Sequence, residues 1–143
     1  MSEGNKTIVR RIYSEIINGG NLALADSLVG PGYVYHGSGG LELRGPEGFK
    51  QLVSMYRSAF PDLNLTIDDI VTEGDKVVTR WTGRGTHKGD LAGIRATGRT
   101  ATVTGIVITR IVDGKVVEDH EAFDELSMLR QLGVTTIPAP AHA

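Results

Sequence analysis

Three residues near the end of the chain have the types and spacing to move protons: Glu118, His120 and Asp124. An imidazole and a carboxylate four residues apart can act as an acid/base pair if both lie on one face of a strand. Strand side chains alternate with period two, so His120 and Asp124 share a face, with Glu118, in any strand without a bulge. The chemistry such a pair suggests is proton abstraction next to a carbonyl. A carboxylate in an apolar cavity is raised toward neutrality, which suits a base working near pH 7. Asp124 has a second reading. It stands directly before the apolar run Leu126, Met128, Leu129, Leu132, where an Asp caps a helix by accepting from a free backbone N–H.

The elements around these residues must provide the cavity. Asp113-Gly114 lies between two β-type runs, Val103 to Val112 and Lys115 to Asp124, and marks a hairpin because both turn residues accept positive φ. Upstream, Lys76 to Gly85 and Asn64 to Thr72 read as strands, joined by a turn at Gly74-Asp75. Thr86 to Gly98 reads as a loop over the end of the sheet. The first half is helical. Apolar residues at three- and four-residue spacing predict a helix from Lys6 to Asn18 capped by Asn5, a shorter one from Leu22 to Val29 capped by Asn21, and a third from Pro46 to Ala59. Tyr33 to His36 is a short strand, and Gly37 to Gly45 a loop. Three helices followed by a meander of about four long strands predict an α+β fold. A sheet of that size twists and curls, and with helices on its concave side it encloses a cone-shaped cavity.

Several further residues are candidates for that cavity. Tyr13 and Tyr56 fall on apolar helix stripes, so they either pack the core or donate a hydrogen bond to a developing enolate. Trp81 alternates with Val77 and Thr79 and is either core or a stacking surface for an aromatic ligand. His36 ends the early strand, near a cavity mouth or in a structural hydrogen bond. His87, in a glycine-flanked loop, reads as a rim or surface residue.

Composition narrows the function classes. At 143 residues the chain suits one domain, residues 1–134, with a poorly ordered tail at 135–143 carrying Pro138 and Pro140. Hydrophobic residues at 40% and charged residues at 22% indicate a globular chain with a real core. A net charge of −2 and the lack of a basic run give no electrostatic reason to expect nucleic acid. The sequence has no cysteine, which excludes disulfides and thiolate chemistry. No apolar run is long enough to span a membrane, and the first six residues have no apolar signal region, so the expected location is cytoplasmic. The four histidines are scattered without metal-ligand spacing, and neither a metal nor a cofactor is expected.

An ordered set of stretches resembles a known family: Asn5-Lys6 through Arg10-Arg11-Ile12-Tyr13, Asn18-Gly19-Gly20-Asn21, Gly32-Tyr33-Val34-Tyr35-His36 and Gly45-Pro46-Glu47-Gly48, followed by Ala59-Phe60-Pro61-Asp62-Leu63, Arg80-Trp81, Gly85-Thr86-His87, Thr104-Gly105-Ile106, Asp113-Gly114-Lys115 and Phe123-Asp124-Glu125-Leu126 with Leu129-Arg130-Gln131-Leu132-Gly133. From Asn5 to Gly133 the chain resembles the SnoaL-like polyketide cyclases, within the ketosteroid-isomerase-like cone fold. The resemblance implies a curved sheet wrapped around the helices, and intramolecular aldol ring closure without metal or cofactor. It also implies an aspartate general acid/base at the position of Asp124, and a homodimer. The chain departs from the usual pattern at Asp119-His120, where many members have His-Trp, and at Val107, where many have a polar residue. The resulting expectation is a cofactor-independent acid/base enzyme for a hydrophobic, carbonyl-bearing small molecule, of cyclase, isomerase or hydroxylase type. The competing expectation is a non-catalytic binding or dimerisation module on the same fold.

Overall fold

The computed structural model describes residues 2–134, so the expected tail at 135–143 lies outside the described residues. Helix α1 (Ser2–Arg11) runs on through wider π-helical turns over Ile12–Asn18. The helix starts before Asn5, which sits inside it rather than capping it. Its end is tied down twice. Arg57 Nη1 donates to the carbonyls of Ile17 and Asn18 at 2.8 and 2.9 Å, where a cation also suits the negative end of the helix dipole. The Asn18 amide exchanges hydrogen bonds with the backbone of Leu65 at 2.7 and 2.9 Å.

The expected second helix is shorter than its pattern. A 3₁₀ turn over Leu22–Leu24 leads into α2 (Ala25–Leu28), and the Asn21 side chain makes no cap. Val29 already belongs to β1 (Val29–His36), because it pairs with Val116 across the sheet. Part of the expected loop forms an edge strand, β2 (Glu42–Arg44), before α3 (Gly45–Ala59), with Pro46 in its first turn. Then come β3 (Asn64–Glu73), β4 (Lys76–Thr86), β5 (Thr100–Val112), β6 (Lys115–Phe123) and α4 (Glu125–Gln131).

The six strands form one sheet in the order β2-β1-β6-β5-β4-β3. All neighbours are antiparallel except β1 and β6, which run parallel. This is the expected α+β class: a curved, unclosed sheet with helices on its concave side. The inner face of β5 carries Ala101, Val103, Gly105, Val107, Thr109 and Ile111, alternating without interruption with exposed residues. The β5–β6 hairpin turns at Asp113-Gly114, with φ of 53° and 76° as such a turn demands. Gly105 has a steric role of its own. A Cβ there would lie 2.4 Å from the Trp81 ring and 2.8 Å from Phe123 Cβ, so its missing side chain is the space that Trp81 fills.

Helix α4 seals one end. Met128, Leu129 and Leu132 are buried, and the Gln131 amide clasps both backbone groups of Thr102 on β5 at 2.8 Å. His87 is fully buried rather than at the surface. Its Nδ1 accepts from the Thr97 backbone N–H at 3.2 Å, which anchors the 87–99 loop against Phe60.

Candidate active site

The strand that carries the acid/base residues is not regular. Ile111 pairs with Val116 and Arg110 with Glu118, which leaves Val117 as an extra residue, a β-bulge. Before the bulge the even position Val116 points inward. After it Asp119, Glu121 and Phe123 do, while Glu118, His120 and Ala122 point outward. One inserted residue therefore turns His120 to the outer face, away from the cavity it was expected to line.

His120 stands on the outer face, with its side chain 58% exposed. Asp124 lies beyond the end of β6, exposed, and accepts from the Ser127 backbone N–H at 3.1 Å as the N-cap of α4. The structure does not bring the two together. His36 also points outward, with Nε2 3.0 Å from Glu118 Oε2. The other three predicted residues, Tyr13, Tyr56 and Trp81, line an interior cavity.

That cavity lies between α3, the π-helical turns and the concave face of the sheet. It encloses about 130 Å³. One water needs about 10–15 Å³ on such a measure, so the space suits a ring-bearing molecule rather than a trapped solvent. Its wall is Ile17, Leu52, Val53, Leu63, Leu65 and Val103, with an aromatic side formed by Tyr56, Phe123 and Trp81. Tyr56 and Trp81 each pack against Phe123 at 6.3 Å between ring centres.

One carboxylate faces this wall: Glu121. The Tyr35 hydroxyl donates to its Oε1 at 2.6 Å and Trp81 Nε1 donates to its Oε2 at 3.0 Å. Desolvation pushes its carboxyl up to about 7, with the charge of Asp119 adding to the rise and the two donated hydrogen bonds opposing it. Asp119 lies two residues before it on the same face. It is fully enclosed, accepting from Tyr33 Oη and Thr109 Oγ1, each at 2.6 Å, and burial raises its carboxyl too. Burial, and then the Glu121 charge, drive the Tyr13 and Tyr56 phenols far upward, so both remain neutral hydroxyl donors beside that carboxylate.

Sequence reasoning passed over Glu121, Asp119 and Tyr35. A signal was available. Val116 and Phe123 are both apolar and seven residues apart, an odd spacing that cannot place both on one face of an unbroken strand. Burying both requires a bulge between them, and counting back from Phe123 brings in Glu121 and Asp119.

An α+β cone whose helices and curved sheet hold an apolar pocket between them, with a partly buried carboxyl in its wall, is a small-molecule-binding fold. The chain belongs to the SnoaL-like polyketide cyclase family, whose model matches residues 7–132. It is 37% identical to the aklanonic acid methyl ester cyclase DnrD of Streptomyces peucetius over 72% of this chain and 70% of that one. Among solved structures it is similar to TsrD from Streptomyces laurentii, at 32% identity, TM-score 0.83, and 92% and 96% coverage. It is also similar to IdmH from Streptomyces antibioticus, at 34% identity, TM-score 0.79, and 91% and 99% coverage.

Proposed function

We propose that this protein is an acid/base enzyme that closes a ring in a hydrophobic, carbonyl-bearing polyketide, with Glu121 as its general base and acid. The observation that carries this reading is a carboxyl with its pKa near 7 in the wall of an apolar cavity, oriented by two fixed donors. A group balanced near the working pH can both take and return a proton.

The steps follow from the wall. The polycyclic substrate lies against Phe123, Tyr56 and Trp81. Glu121 takes the proton from the carbon next to a carbonyl, and the Tyr13 or Tyr56 hydroxyl donates to the developing enolate oxygen. The enolate carbon attacks a second carbonyl of the same molecule, forming the new carbon–carbon bond. The resulting alkoxide takes the proton back from Glu121. The resemblance to an aklanonic acid methyl ester cyclase supports a polycyclic ester as substrate.

The test is turnover of aklanonic acid methyl ester and related aromatic polyketides by wild type and Glu121→Gln. The variant keeps the shape and loses the base, so turnover falls by at least about 100-fold while ligand binding persists. Undiminished turnover overturns the reading, and binding without turnover by wild type favours a carrier module.

The same proposal includes a homodimer through the outer face of the sheet. Val71 on β3 and Ile106 and Ile108 on β5 are 59%, 49% and 40% exposed there, with Val78 of β4 between Val71 and Ile108. Sedimentation at twice 15.3 kDa is expected, and a lone 15.3 kDa species refutes it.

A further inference from the structure

Two of the four scattered histidines meet on the outer side of the sheet. In the parallel pairing of β1 with β6, His36 lies directly opposite His120, and Glu118 is two residues before His120 on the same face. The imidazole rings stack with centres 4.3 Å apart and 10° between their planes. Both Nε2 atoms lie close to one oxygen, Glu118 Oε2: His36 is hydrogen-bonded to it at 3.0 Å, and His120 stands 3.4 Å away. The three donor atoms lie within 4.8 Å of one another.

We propose that His36, Glu118 and His120 form a binding site for a divalent first-row transition metal, on the opposite side of the sheet from the catalytic cavity. The donor set is two imidazoles and one carboxylate, which suits Zn²⁺ and its neighbours rather than Mg²⁺ or Ca²⁺. The spacing fits as well. Ligands about 2.0–2.2 Å from a metal stand roughly 2.9 Å apart at right angles and about 3.4 Å apart at tetrahedral angles, the range of the two carboxylate–imidazole separations. The histidines are anchored by backbone pairing on neighbouring strands, so only side-chain adjustments are needed to admit the ion. All three side chains are partly exposed, at 35%, 39% and 58%, which leaves the remaining coordination positions to water or an incoming ligand.

Across β5 the nearest charged neighbour of Glu118 is Arg110, and its guanidinium is engaged by Asp75 at 2.8 Å. A metal here clips β1 to β6, the parallel junction that carries a register irregularity between Val29 and Val34. Its binding energy therefore appears as stability of the fold.

The experiment is calorimetric titration of tag-free protein with ZnCl₂ at pH 7.5, with thermal unfolding in parallel and Co²⁺ absorption as a second probe. One ion per chain with micromolar affinity is expected, with a rise in Tm on saturation. His36→Ala and His120→Ala each weaken binding by about 10-fold or more while leaving far-UV circular dichroism and polyketide turnover unchanged. Failure to bind Zn²⁺ or Co²⁺ at millimolar concentration overturns the proposal. So does an affinity unchanged in both variants, which locates the ion elsewhere. Loss of Glu121-dependent turnover alone does not touch it.

Discussion

The Tyr35 hydroxyl donates to Glu121 Oε1 across 2.6 Å, linking neighbouring strands through residues 86 positions apart in the chain. The bond favours the charged carboxylate and so holds the Glu121 pKa lower than burial alone would. Tyr35→Phe removes it. The base-limited limb of the turnover–pH profile should then move to higher pH. At pH 7 the loss is roughly fivefold, because an interaction of about 1.4 kcal/mol takes the charged fraction from about one half to about one tenth. A profile that coincides with wild type would show that Glu121 does not limit the reaction.

Glu121 also makes stability depend on pH with a definite sign. Its carboxyl sits near 7 in the fold against 4.5 as the ordinary value, so the folded state holds the proton longer than the unfolded chain does. Stability from this group is complete below about pH 4.5 and is lost as pH rises through 7, by up to about 3 kcal/mol. Asp119 is shifted the same way and adds to the slope. Urea unfolding of wild type and Glu121→Gln at pH 5 and pH 8 isolates the Glu121 share. The wild type should lose more stability across that interval than the variant, and equal losses would contradict a neutral-range carboxyl.

Most of the fold could be read from the residues because its signals are local. The Asp113-Gly114 turn, the unbroken alternation of β5 and the helical spacing over α3 each reflect backbone preferences within a few positions. The start of β1 was hidden, since Val29 reads as the end of an apolar helix and becomes a strand only through its partner Val116. The active-site face was hidden for a similar reason. Alternation identifies faces only while register is kept, and Val117 breaks it without any Gly or Pro to mark the place. His36 and Glu118 illustrate the limit further: 82 residues separate two groups that touch.

Asp124 has a measurable duty at the head of α4. Asp124→Ala should cost about 1 kcal/mol of stability, whereas Asp124→Asn, an equally good cap, should cost only a few tenths. Turnover by folded Asp124→Asn should stay within about twofold of wild type, because the capping bond to Ser127 is what its side chain supplies. A well-folded Asp124→Asn without turnover would return the proton transfer to Asp124.

Gly105 should resist the smallest enlargement. A methyl group there collides with the indole of Trp81 and with Phe123, so Gly105→Ala should destabilise by roughly 1–3 kcal/mol. It should also blue-shift or broaden the emission of Trp81, the sole tryptophan, by moving the indole off Glu121. Unchanged stability and emission would mean that the sheet yields there more easily than its packing indicates.

The extra residue at Val117 sets a phase for everything after it in β6. If the strand paired without the bulge and kept all its residues, its two sides would exchange: the imidazole of His120 would enter the cavity and the carboxylate of Glu121 would leave it. Deleting Val117 does the reverse. Glu118 then follows Val116 directly and stays opposite Arg110, Asp119 stays opposite Thr109 and Glu121 opposite Val107, so both sites keep their faces. Two sites on opposite sides of one wall thus share a single register, and the spare residue can be lost without disturbing either.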